Sequence, residues 1–101
     1  MDDADFTENP RDGARLPAVV IVRYWAAARA AAGCAEDHVS AASVGEALEA
    51  VAELHTDSPQ FARVLGFSSL LLDERRLARQ ATQTPVGPGD VIDVLPPFAG
   101  G

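Results

Sequence analysis

Residues 43–55 read SVGEALEAVAELH, and this stretch decides what the rest of the chain has to be. Ser43 and Glu46 stand at the S-x-x-E spacing of a capping box, in which a hydroxyl and a carboxylate satisfy the first free N–H groups of a helix. Val44, Ala47, Leu48, Val51 and Leu54 recur at i, i+3, i+4 and i+7 and fall on one helical stripe. Glu46, Glu49 and Glu53 take the opposite side. A helix with one apolar stripe covers one face of something else, so the flanking segments have to supply a sheet.

Upstream, AVVIVRY at 18–24 is rich in β-branched residues and apolar on both alternating faces, which predicts a central strand covered on both sides. WAAARAAAG at 25–33 predicts a short helix closed by Gly33. EDHVS at 36–40 reads as a short, charged edge strand. Downstream, Ser58 as N-cap, Pro59 at the first helical position and Gly66 as stop predict a second, shorter helix that buries Phe61, Val64 and Leu65. SSLLL at 68–72 reads as a strand, DERR as its turn and 76–78 as a brief return strand. PVGPGD is turn chemistry. VIDVL at 91–95 is the last strand.

The order is β, β, α, β, β with small helical inserts. The first and last strands are the most apolar, so both belong in the middle. This is an α+β, β-grasp architecture: a mixed sheet of four to five strands, covered on one face by one main helix.

A chain of 101 residues forms one domain. With 48% hydrophobic and 23% charged residues, it has the composition of an ordinary folded protein. The net charge of −7 repels phosphate backbones, which excludes nucleic acid as a partner and favours a partner with a basic face. All eight basic residues are arginine. A single cysteine, Cys34, builds no disulfide framework and fits a reducing cytoplasm. The longest apolar run, 18–33, is interrupted by Arg23 and Arg29 and is too short to span a bilayer, so no membrane partner is expected. Residues 1–17 are acidic, broken by Pro10, Gly13 and Pro17, and lack the apolar segment of a signal peptide. The expected organisation is a disordered acidic extension at 1–17, a β-grasp domain at 18–95 and a flexible tail at 96–101.

No set of catalytic side chains emerges. Cys34 has His38 nearby but no third member of a nucleophilic set. His38 and His55 share no metal-ligand spacing with other residues, so no metal is expected. Arg75, Arg76 and Arg79 read as a solvated surface. GPGD at 87–90 lacks the lysine and the following helix of a phosphate loop. The remaining candidate is the end of the chain, PPFAGG. A chance Gly-Gly ending has a frequency on the order of half a per cent, so it invites a functional reading. Pro96 and Pro97 hold the backbone extended, and Phe98 and Ala99 supply a docking point. Gly100 and Gly101 are slim enough for a narrow channel and leave the Gly101 carboxylate open to attack.

Three motifs carry a family resemblance across 18–101. Tyr24, Trp25, Ala26, Arg29 and Gly33 match two aromatic or apolar residues followed by A-x-x-R-x-x-x-G. A helix starts at Ser43 after a short strand. GDVIDVLPPFAGG matches the ending G-D-x-V-x-x-x-P-P-x-x-G-G. The chain thereby resembles the small subunit of molybdopterin synthase, within the ubiquitin-like sulfur-carrier group that includes the thiazole-pathway carrier. Asp73 stands where the family often has Asn, and 1–17 has no counterpart.

The resemblance implies that an adenylating activating enzyme uses ATP to convert the Gly101 carboxylate to an acyl-adenylate. A sulfur donor then displaces AMP and leaves a thiocarboxylate. The tail (Pro96, Pro97, Phe98, Ala99 and Gly100) would enter the molybdopterin synthase large subunit, in a heterotetrameric synthase whose catalytic lysines belong to the partner. Gly101 would donate the sulfur for the dithiolene of the molybdenum cofactor, with no cofactor bound to the carrier itself. Within the class, the alternative is a carrier for thiazole (thiamine) or cysteine biosynthesis. Outside it stand a ubiquitin-like protein modifier joined through Gly101 and a plain β-grasp interaction module.

Overall fold

The strand 18–24 is where the domain begins: β1 (Ala18–Tyr24) turns its Val20, Val22 and Tyr24 into the core. The computed structural model describes residues 16–78 and 80–97. The remaining elements are α1 (Ala26–Ala32), β2 (Glu36–Ala41), α2 (Val44–Leu54), α3 (Pro59–Phe67), β3 (Ser69–Leu72), β4 (Arg75–Arg76) and β5 (Val91–Leu95). The five strands lie in the order β2-β1-β5-β3-β4. β1 and β5 run parallel at the centre, and the outer pairs are antiparallel. The sheet is mixed, and the α+β β-grasp expectation holds. The expected extension at 1–17 lies outside the described residues, apart from exposed Leu16 and Pro17.

The register explains the two-faced apolarity of β1 differently from the expectation. Val20, Val22, Ile92 and Val94 are fully buried on one face, under the helices. Strand alternation puts Val19, Ile21, Arg23, Val91, Asp93, Leu95 and Leu71 on the other. Val19 is 59% exposed there. β1 is central but covered on one face only. Its second apolar face belongs to an open patch.

At the start of α2, every one of the first four N–H groups finds an acceptor. Val44 N donates to Thr84 O and Gly45 N to Thr82 O, while Glu46 N donates to Ser43 Oγ and Ala47 N to Ser43 O. The Glu46 carboxylate accepts from Ala42 N, one residue earlier than the standard box. The 80–90 loop is therefore tied to the helix it crosses. Its approach is close enough that a Cβ on Gly45 would stand 3.1 Å from Thr82 O.

Four expectations shift. Leu54 is 55% exposed; the last inward place on α2 goes to His55, one turn after Val51. Gly66 does not stop α3, which runs to Phe67 and leaves through extended Ser68 with no left-handed residue. Because the chain passes straight into β3, no such residue is needed, and β3 itself starts at Ser69. The return strand is Arg75–Arg76, not 76–78. Asp73 and Glu74, at φ 49 and 73, make a two-residue turn with both central residues left-handed, so pairing resumes at once with Leu72 opposite Arg75.

Candidate functional site

β5 is hydrogen-bonded on both sides, to β1 and to β3, so its end is fixed in space. The chain leaves it through Pro96, which is buried, and Pro97, which is exposed. Trp25 N donates to Val94 O at 3.2 Å and extends the β1–β5 ladder to the exit. Next to it, Ala26 has φ 49, a left-handed conformation that costs a non-glycine residue about 1–2 kcal/mol. This bend turns β1 into α1 beside the exit point. Trp25, Ala26, Ser69, Arg76, Leu95 and the two prolines line a cleft of about 410 Å³ at the root of the tail.

Asp93 organises this end of the sheet. Its Oδ1 accepts from Arg23 Nε and from Trp25 Nε1, both at 2.8 Å, and its Oδ2 from the second Arg23 nitrogen at 3.1 Å. The Arg23 guanidinium lies 5.7 Å from the Trp25 ring centroid, within cation–π range. Burial pushes the Asp93 carboxyl up, but the bonds from Arg23 and Trp25 and the Arg23 charge outweigh it and hold the group below the usual carboxylate range. The indole at the mouth of the cleft is thus held by the buried carboxylate of a part-exposed charge pair.

Pro96 and Pro97 stand at this exit as expected. Phe98, Ala99, Gly100 and Gly101 lie outside the described residues, as does Arg79. Arg76, read from the sequence as plain surface, lines the cleft. No local pattern marks it; only the β3–β4 hairpin brings it there. The GPGD segment is a turn, closed by Gly87 N donating to Asp90 Oδ2 at 2.8 Å and by left-handed Gly89.

A second cluster forms on the helix side. Asp37 Oδ2 accepts from Tyr24 OH at 2.8 Å, and it lies 2.6 Å from His55 Nε2 and 3.7 Å from Cys34 Sγ. The sequence set Cys34 beside His38, but the fold gives it His55. His38 instead faces Glu36 on the exposed side of β2. Burial raises the Asp37 carboxyl, yet the bonds from His55 and Tyr24 prevail and hold it low. Burial, aided by the Asp37 charge, pushes the Cys34 thiol and the Tyr24 phenol up.

A five-stranded mixed sheet with parallel central strands, helices on one face and a tail launched from the central strand defines a ubiquitin-like β-grasp carrier. The chain belongs to the ThiS family, whose profile matches residues 22–101; these are ubiquitin-like sulfur carriers. Among solved structures, it is similar to small archaeal modifier protein 1 from Methanosarcina acetivorans, at 24% identity over 84% of this chain and 98% of that one, with TM-score 0.70. The Haloferax volcanii protein of the same name matches at 24% identity over 82% and 99%, also with TM-score 0.70. Subunit 1 of the molybdopterin-converting factor from Helicobacter pylori, solved in complex with subunit 2, matches at 25% identity over 82% and 99%, with TM-score 0.60. No curated protein sequence matches significantly. Among the described residues, no helix is long and apolar enough to cross a membrane.

Proposed function

We propose that this chain is the sulfur-donating small subunit of a molybdopterin synthase, carrying sulfur as a thiocarboxylate on Gly101. The observation that carries the proposal is the launch of PPFAGG from a central strand bonded on both sides. A tip that has to reach a buried centre in another protein needs a fixed origin, a stiff connector and a slim end. β5, Pro96–Pro97 and Gly100–Gly101 fill those three roles. The Pro-Pro pair favours the molybdopterin branch over the thiazole one.

The chemistry proceeds in two transfers. An activating enzyme joins the Gly101 carboxylate to AMP and releases pyrophosphate from ATP. A sulfur donor at the hydrosulfide level then attacks the acyl carbon, AMP leaves with the bonding electron pair, and a thiocarboxylate remains. Inside the large subunit, this sulfur attacks the pterin precursor, and hydrolysis of the acyl bond regenerates the carboxylate. Burial of the tip in the partner limits premature hydrolysis.

The open sheet face supports a heterodimeric partner. Val19, Ile21, Val91, Leu71 and Leu95 share that face with the Arg23–Asp93 pair, apolar contacts with a polar element for register. The complex of the Helicobacter pylori homologue with subunit 2 points the same way.

Deleting Gly100 and Gly101 tests the reading. The variant is expected to keep its melting temperature and its hold on the large subunit through the sheet face, but to lose sulfur transfer completely. Retained transfer would refute the proposal, and recovery of a thiazole synthase in place of the large subunit would move the protein to the sister branch.

A further inference from the structure

Cys34, Asp37 and His55 come from three different elements: the α1–β2 loop, β2 and the C-terminal cap of α2. Their thiol, carboxylate and imidazole donor atoms all lie within 4.8 Å of one another. We propose that these three side chains bind a divalent transition-metal ion of the zinc class, independently of the tail chemistry.

The donor set suits such an ion. Sulfur, nitrogen and a single carboxylate oxygen are the ligands zinc takes, and three protein ligands leave a fourth tetrahedral position for water or an external ligand. Around a tetrahedral zinc, neighbouring donors stand roughly 3.3–3.6 Å apart. The Asp37 Oδ2 to Cys34 Sγ separation is already 3.7 Å. His55 Nε2, at 2.6 Å from the same oxygen, has to withdraw by about 0.8 Å to meet that spacing.

The surroundings hold the ligands in place. The His55 ring packs against Phe61 at 4.5 Å and edge-on to Tyr24 at 5.9 Å between centroids. Its backbone N–H is bonded to the end of α2. Tyr24 OH donates to the carboxylate and orients it, the outer-shell support that metal-binding carboxylates commonly have. The site is partly buried, with side-chain exposure of 13% at His55 and 20% at Asp37.

The charge balance also favours a cation. Among the described residues, the partners of Asp37 are a phenol, a thiol and an imidazole, none of which carries a permanent positive charge. A half-buried carboxylate paired with an imidazole, which bears charge only when protonated, gains more from a metal than one paired with a guanidinium. On binding, Cys34 coordinates as thiolate and releases one proton to solvent. Nε2, which donates its proton to Asp37 in the metal-free cluster, gives up that bond, and the ring coordinates through Nε2 as the neutral tautomer with its proton moved to Nδ1. No electron changes hands.

The test uses the full chain, stripped with a chelator and titrated with Co²⁺ alone and then Zn²⁺. The expected result is one equivalent of Co²⁺ in a four-coordinate visible spectrum with a thiolate-to-cobalt charge-transfer band, both displaced by Zn²⁺. Cys34→Ser should remove the charge-transfer band and weaken binding at least tenfold while its amide NMR spectrum stays folded. His55→Gln should weaken binding comparably, and His38→Gln should leave it unchanged. A wild-type titration without the charge-transfer band, or a Cys34→Ser titration indistinguishable from wild type, overturns the proposal and assigns any bound cation to the acidic surface. The mass and transfer assays on Gly101 read a different group, so either idea can fail alone.

Discussion

Asp93 and Asp37 flank β1 on opposite sides, one on β5 and one on β2, and face opposite sides of the sheet. Both are shielded from water, and both carboxyls are held below their usual range. They differ in what holds them. Asp93 is paired with a guanidinium and an indole N–H, so its charge is answered by a permanent cation. Asp37 is surrounded by groups that share protons but bring no fixed charge. The first arrangement is finished and serves to fix the root of the tail. The second is an anion with two further donor atoms around it, which a cation could join once His55 draws back.

Substitutions sharpen the contrast. Asp93→Ala should have the largest effect, a loss of about 1–2 kcal/mol in urea unfolding, because it removes the shared acceptor of the Arg23 guanidinium and the Trp25 N–H, both of which water partly reaches. Equal sensitivity to Asp37→Ala in metal-free buffer would erase the distinction. Tyr24→Phe removes one bond to Asp37 and keeps the buried ring, so a loss of about 1 kcal/mol is expected in the same assay.

Acid titration examines both carboxylates together. Their folded pKa values lie below the ordinary 3.8, so the folded state gives up these protons more readily than the unfolded chain. Their contribution is complete above that ordinary value and is lost as pH falls through the lowered ones. Asp93→Asn should therefore flatten the acid limb of the stability curve and leave its slope at neutral pH unchanged. The smallest change lies in the turn beside the Arg23–Asp93 pair. Glu74→Gly places glycine at φ 73 in the β3–β4 turn and should add about 0.5–1 kcal/mol, read as a rise in urea midpoint.

The same pair shows what sequence patterns reach. The capping box at Ser43, the β-branched run in 18–24 and the Gly-Gly ending are local signals; the first two led to the correct element order, and the helix start and the ending led to the family. Asp37 went unnoticed because its partners sit at positions 24, 34 and 55, joined only by the β1–β2 register and the end of α2. Hydropathy ranks Leu54 above His55 for burial, yet the aromatic environment of Tyr24 and Phe61 selects the histidine. Asp93 reads as the polar residue of a strand and shows nothing of Arg23 or Trp25 until β5 is laid parallel to β1. The second apolar face of β1 was visible in the pattern, but whether it meets a layer of its own chain or a partner is a question of topology.

The central claim is that the one reactive group of this carrier is the Gly101 carboxylate, presented by a rigidly held β5. Intact mass spectrometry after co-expression with an activating enzyme and a sulfur donor addresses it directly. The account predicts a product in which one oxygen has been replaced by one sulfur, confined to Gly101 and absent when Gly100 and Gly101 are deleted. An unchanged mass, or sulfur carried on Cys34 in place of the terminal glycine, would contradict it.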